Sequence, residues 1–132
     1  MTHPAPHPWA GRVVLSFVFL WFFLGGIAHF AFTAAEMRAV PDWITWPYEA
    51  VLISGAFEFL GAIGLLWLRT RKAAAWGLAA LTLAVTPANV YMYQHHELFS
   101  GVPVWALALR LPLQLVLLAA IVWVARRSAG AT

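Results

Sequence analysis

Apolar positions along this chain do not alternate with polar ones. They come in four long runs, near 13–33, 49–68, 73–93 and 104–125. The breaks between them read "EMRAVPDWITWPYE", "RTRK" and "QHHELFSGVP". A helix needs about 20 residues to cross the hydrocarbon core of a bilayer, and each run is about that long. Barrel strands would show a period of two, which continuous runs lack. The pattern therefore predicts an all-α integral membrane protein: one domain, 1–132, folded as a left-handed four-transmembrane-helix bundle. The Trp/Pro-rich stretch "VPDWITWP" (40–47) predicts a short interfacial loop on the outer side. The first twelve residues, "MTHPAPHPWAGR", are too proline-rich for a helix and are expected to lie along the inner surface. No Gly/Ser linker, repeat or low-complexity tract interrupts the chain.

Composition sharpens this picture. The chain is 63% hydrophobic and 10% charged, where a soluble domain carries about 25% charged residues. There is no cysteine, which excludes disulfides, thiolate metal sites and thiol catalysis. The net charge of +3 forms no basic face, because the cations sit at the ends of the runs, so nucleic acid is not an expected partner. Arg12, Arg69, Arg71, Lys72, Arg126 and Arg127 fall on one side of a four-span topology, and Arg38 alone falls in the opposite loops. That bias predicts that both termini are cytoplasmic, and the expected location is the inner membrane of a bacterium. Trp9, Trp67, Trp76 and Trp123 mark the inner headgroup level; Trp43, Trp46, Tyr48, Tyr93 and Trp105 mark the outer one. The first run is longer than the 7–15 residues of a signal-peptide core, so it is retained as a span.

Polar groups inside the runs carry the candidate chemistry. Glu58 lies in "ISGAFEFLGAIGLLW", and its neighbours at helical spacing are Ser54, Gly55, Gly61 and Ala62. Small residues mark the face where transmembrane helices approach closely, so Glu58 points into the bundle. His29 stacks over Gly25 and Gly26, with Glu36 one heptad later. Thr82, Thr86, Asn89 and Tyr93 form a stripe, and Arg110 and Gln114 are i, i+4 partners flanking Pro112. Counted from the outer boundary, His29 and Asn89 lie roughly 6 Å deep, Arg110 and Thr86 roughly 10 Å, and Glu58 and Gln114 roughly 15 Å.

A lone charge at the bilayer centre costs roughly 2.5–3.5 kcal/mol on insertion scales. Glu58 and Arg110 are therefore expected to pair, either as an ion pair that fixes helix register or as the floor of a pocket for a ligand or proton. The threonine stripe is read as interhelical hydrogen bonding or as pocket lining, and His29 as a proton relay or a histidine bonded within the bundle. An exposed loop explains His95, His96 and Glu97 more simply than a metal site does. His3 and His7 resemble an amino-terminal copper site only faintly, so no metal is assigned. Phosphate loops, Ser/His/Asp sets and HExxH are absent from the sequence.

The pieces "GGIAHF" (25–30), "VPDWITWP" (40–47), "SGAFEFLGAIGLL" (54–66), "TPANVYM" (86–92) and "RLPLQ" (110–114) together resemble the DoxX-like family of small four-pass membrane proteins, from about residue 16 to 123. The resemblance implies that the recurrent polar positions are His29, Glu58, Asn89, Arg110 and Gln114. It also implies a varied range of roles: quinone-linked oxidation of sulfur compounds, redox-stress complexes, and a receptor chaperone in animals.

The expected ligand-binding residues are thus His29, Glu58, Thr86, Asn89, Tyr93, Arg110 and Gln114, around an outward-opening pocket for a quinone or lipid. No cofactor is intrinsic to the chain. Expected partners are the bilayer, a membrane or periplasmic redox protein, and further copies of the chain. Three functions compete. One is a non-catalytic accessory or ligand-binding subunit linked to redox metabolism. The second is an enzyme with Glu58 as general acid/base, the candidate catalytic residue; an apolar surrounding favours the neutral acid there, and a neighbouring cation opposes it. The third is an assembly chaperone for membrane proteins. The charge asymmetry makes the topology testable: a reporter that works only in the cytoplasm gives signal when fused to Thr132, and activity from a periplasmic reporter there refutes the orientation.

Overall fold

The computed structural model describes residues 8–128. Those residues form helices α1 (Pro8–Ala31), α2 (Thr33–Met37), α3 (Pro47–Gly64), α4 (Leu68–Ala84), α5 (Thr86–Gln94) and α6 (Val104–Ser128), with a 3-10 turn at His96–Leu98. No strand occurs among the described residues. Three stretches are long and apolar enough to cross a membrane: Trp9–Ala31, Leu68–Gln94 and Val104–Ser128. The second apolar run becomes α3, an 18-residue helix with Glu49 and Glu58 within it. At 1.5 Å of rise per residue it is roughly 27 Å long.

Two boundaries differ from the pattern. Helix α1 starts at Pro8, so residues 8–12 are helical rather than laid along a surface. A proline is compatible with the first helical turn because the N–H it lacks has no partner there. The third run is also not one continuous helix. It breaks at Val85, because Pro87 cannot donate to the carbonyl four residues back and its ring collides with it. Pro87 instead occupies the first turn of α5, where no donor is needed.

Helix α1 packs against α3, α3 against α4, α4 against α6, and α6 returns to α1. The large core holds Val18 and Phe22 of α1, Ala62 of α3, Leu65 just beyond it, Leu78 of α4, and Leu117 and Ile121 of α6. A smaller cluster of Ala39, Met92 and Leu107, with Phe99 against it, closes the other end. Asp42 accepts a hydrogen bond of 3.1 Å from the Tyr91 hydroxyl, which ties the loop after α2 to α5. Fewer than a quarter of the residues in each spanning stretch are buried inside the chain. Phe17, Leu20, Leu24, Phe57, Leu60, Leu115 and Val116 are among the many large apolar side chains that face outward. An apolar exterior of this extent calls for lipid or further protein around it.

The α1–α3 contact depends on glycine. A Cβ built on Gly55 would lie 2.5 Å from the Cβ of His29, and one on Gly26 would lie 3.0 Å from the Phe59 backbone nitrogen. Gly77 on α4 has nothing within 4 Å of such an atom. Gly55→Ala is expected to cost about 1–3 kcal/mol through overpacking. Gly77→Ala should be neutral or gain about 0.5–1 kcal/mol from helix propensity. Thermal unfolding of the detergent-solubilised variants checks this; equal melting-temperature losses for both would dismiss the close crossing as the cause.

Candidate functional site

The close crossing positions the first polar group. The Glu58 carboxylate packs on Gly25, where a Cβ would lie 3.4 Å from Oε2, an ordinary contact. Gly55 makes room for the His29 side chain, whose Cβ and Cγ a Cβ there would meet at 2.5 and 3.1 Å. The His29 Nδ1–H donates to the Val51 carbonyl at 2.9 Å. Ser54 Oγ lies 3.0 Å from the same nitrogen and donates to the same carbonyl at 3.0 Å. With Nδ1 carrying that hydrogen, only Nε2 is free to gain or lose a proton.

Nε2 faces two carboxylates. Glu58 Oε2 lies 3.2 Å away, and Glu36 Oε2 lies 3.8 Å away. The side chains of His29 and Glu58 are 15% and 12% exposed. Although close, the two atoms are poorly aligned, and Glu58 Oε2 is buried without a hydrogen bond. Glu36 reaches the site because the chain turns at Phe32 before α2, where the Thr33 hydroxyl donates to the His29 carbonyl at 2.8 Å.

The second polar group joins α4, α5 and α6. Asn89 Nδ2 donates to Gln114 Oε1 at 2.5 Å. Gln114 Nε2 donates to the Thr82 carbonyl at 3.2 Å and to the Thr86 hydroxyl. The Thr86 hydroxyl donates to the Thr82 carbonyl at 3.0 Å, and the Thr82 hydroxyl to the Leu78 carbonyl at 2.7 Å. The break before Pro87 thus leaves the Thr82 carbonyl to side-chain donors. Thr82 and Gln114 are the two buried polar side chains among the described residues. This group lies between the large core and the cluster around Met92 and Leu107.

Of the seven expected site residues, His29 and Glu58 form one group, and Thr86, Asn89 and Gln114 form the other. Arg110 and Tyr93 are exposed. The partner of Glu58 is His29, not Arg110, which joins no ion pair or hydrogen bond. Side-chain reach joins groups expected at different depths, His29 with Glu58 and Asn89 with Gln114. The stripe spans the break at Val85: Thr82 lies on α4, Thr86 and Asn89 on α5, and Tyr93 at the end of α5 is exposed. A cavity of about 490 Å³ opens between the loop after α2 and α4–α5, lined by Pro41, Trp43, Leu83, Thr86 and Tyr91 among others. Thr86 is the expected site residue that borders it.

Ser54, Glu36 and Thr82 complete these groups but were not among the expected site residues. Ser54 lies four positions before Glu58, so its placement on the same face was legible; the Val51 carbonyl has no side-chain signal. His95 stacks on Tyr91 with ring centroids 4.1 Å apart, and its Nδ1 lies 3.1 Å from the Tyr91 carbonyl. Among the described residues, no group of three His, Cys, Asp or Glu is arranged to hold a metal ion. His3 and His7 lie outside the described residues.

Residues 18–125 match the family model described as a domain of unknown function, DUF8561. The chain belongs to the DUF8561 family. The matched span of this DUF8561 protein contains every residue of both polar groups. No curated protein and no solved structure matches it. The pairing within it is open to a double-mutant cycle in detergent. His29→Ala with Glu58→Ala should show a coupling of about 0.5–3 kcal/mol. Arg110→Ala with Glu58→Ala should be additive within about 0.5 kcal/mol, and the reverse order of couplings would restore Arg110 as the partner.

Proposed function

We propose that this DUF8561 protein is a non-catalytic accessory subunit of the membrane that binds the polar head of a lipophilic molecule, a quinone or a lipid, at His29 and Glu58. The reading takes the chain as a four-span bundle of the inner membrane, with both termini cytoplasmic and "VPDWITWP" at the outer surface. The charge asymmetry and the apolar exterior support it. Kinship with the DoxX-like proteins is part of the same proposal, supported by the order of the motifs; the redox link rests on that kinship alone.

The observation that carries the binding role is Glu58 Oε2, which is buried, lacks a hydrogen bond and lies beside Nε2. A buried acceptor without a donor is costly, and a hydroxyl from a ligand would satisfy it. A quinone carbonyl would accept from the Nε2–H of the imidazolium form. The site thus fits a head that gives or takes one hydrogen bond, while the aliphatic tail lies along the exposed apolar faces. A redox partner in or beside the membrane would supply electrons in the quinone case.

A second reading is supported by the fixed Nδ1. An imidazole held by a backbone carbonyl, with its other nitrogen against a carboxylate, suits proton transfer, so Glu58 and His29 could act as general acid and base on a lipophilic substrate. The accessory role is preferred because neither group adjoins an activated nucleophile. A chaperone role would leave the pair structural.

Native mass spectrometry of the detergent-purified protein decides among these. A co-purifying lipophile lost in both His29→Ala and Glu58→Gln, and kept in Arg110→Ala, is expected. Its absence from the wild type, or retention in both site variants, would refute the binding role. Turnover of an added lipid or quinone by the protein alone would make it an enzyme.

A further inference from the structure

At the opposite end of the chain's helices lies a cavity of about 270 Å³ bordered by Gly11, Arg12, Arg71, Trp123, Arg127 and Ser128, among others. Arg12 lies 17 residues before His29 on α1, roughly 25 Å along the axis. The cavity is therefore separate from the His29–Glu58 pair and independent of the ligand proposed there.

Three arginines border this cavity, and none of them pairs with an Asp or Glu side chain among the described residues. The five acids of the sequence are Glu36, Asp42, Glu49, Glu58 and Glu97, and none lies on the segments that form this end. The ion pairs among the described residues are both made by His29. Two of the arginines are instead held by neutral contacts. Arg71 Nε donates to the Leu65 carbonyl at 2.7 Å, which leaves its terminal nitrogens for another acceptor. The Arg127 guanidinium lies 4.6 Å from the centroid of the Trp123 ring. Its other side rests near Gly11, where a Cβ would lie 3.5 Å from Cζ. Like charges gathered without counter-charge repel one another, so this arrangement is most stable with an anion bound. Planar guanidinium forks match tetrahedral phosphate oxygens in pairs.

We propose that this cavity is a phosphate site, with Arg71 and Arg127 as the principal donors and Arg12 at its edge. The phosphate belongs to an anionic phospholipid headgroup or to a free phosphate anion. Basic pockets between helices at the cytoplasmic face suit such headgroups, and Trp123 sits at the level where an acyl chain would begin.

The test compares pocket arginines with arginines of equal charge at the same end that do not border the cavity. Purified wild type, Arg71→Gln, Arg127→Gln, Arg69→Gln and Arg126→Gln are incubated in micelles containing phosphatidylglycerol or phosphatidylcholine, and retained lipid is read by native mass spectrometry. Phosphatidylglycerol should be retained in preference to phosphatidylcholine. Its retention should fall about tenfold in the two pocket variants and less than about twofold in the other two. Circular dichroism confirms that each variant is folded, and Arg71→Lys, which keeps the charge but not the fork, should lose retention in part. In a parallel arm, inorganic phosphate is added to lipid-free protein. A rise in melting temperature with the same dependence on Arg71 and Arg127 assigns the site to free phosphate, whereas stabilisation by lipid alone assigns it to the headgroup. Equal losses in all four glutamine variants, or no preference for the anionic lipid together with no response to phosphate, would overturn the site.

Discussion

The structure depends on the close approach of α1 and α3. Gly26 and Gly55 face each other across that crossing, and neither tolerates a side chain without displacement of its neighbour. In lipid, apolar side chains gain little by leaving the solvent, so helix association relies on van der Waals fit and interhelical hydrogen bonds. Two helices that touch through glycine obtain both. Their backbones come near enough for the His29 ring on α1 to reach the Val51 carbonyl on α3. The ion pair of His29 with Glu58 follows from the same geometry, because the ring anchored at Nδ1 has only its Nε2 edge left to present.

A second constraint sorts the polar groups by position. The large core, from Val18 to Ala125, contains no polar side chain. The Thr82–Thr86–Asn89–Gln114 network lies beyond it and is closed over by Met92 and Leu107. Each member donates or accepts within the group, as a non-aqueous interior requires. The break at Pro87 contributes to this arrangement, since the Thr82 carbonyl receives both Gln114 and Thr86.

The parts legible in the sequence were those fixed by length and local spacing. All four runs are helical, three of the resulting stretches are long and apolar enough to cross a membrane, and the third run is divided at Val85. Glu58 was correctly turned inward by its small neighbours at Ser54, Gly55, Gly61 and Ala62. The partner of Glu58 was not legible. Helical periodicity gives the direction of a side chain from its own axis, but not the axial register of one helix against the next. Depths counted separately on each run put the His29 and Glu58 backbones about 9 Å apart along the axis, and such a count does not show that their side chains span the difference and touch. Arg110 was turned inward on the cost of a lipid-facing charge, yet a long side chain can keep its charge at an interface while its helix faces outward. The break at Val85 was legible from Pro87, but the regular spacing of Thr82, Thr86 and Asn89 masked it.

The two ends of the molecule handle charge in opposite ways. At the end of α1 near α2, one histidine sits between two carboxylates. At the other end, three arginines border a cavity with no Asp or Glu among its described lining residues. The first arrangement is built from titratable side chains; the second is not, because guanidinium keeps its charge at any physiological pH. A group of titratable residues suits a changing or neutral occupant, and a group of fixed cations suits a fixed anion. The two proposed occupants would thus have separate places along the chain, with the apolar cluster of Val18, Phe22 and Ile121 between them.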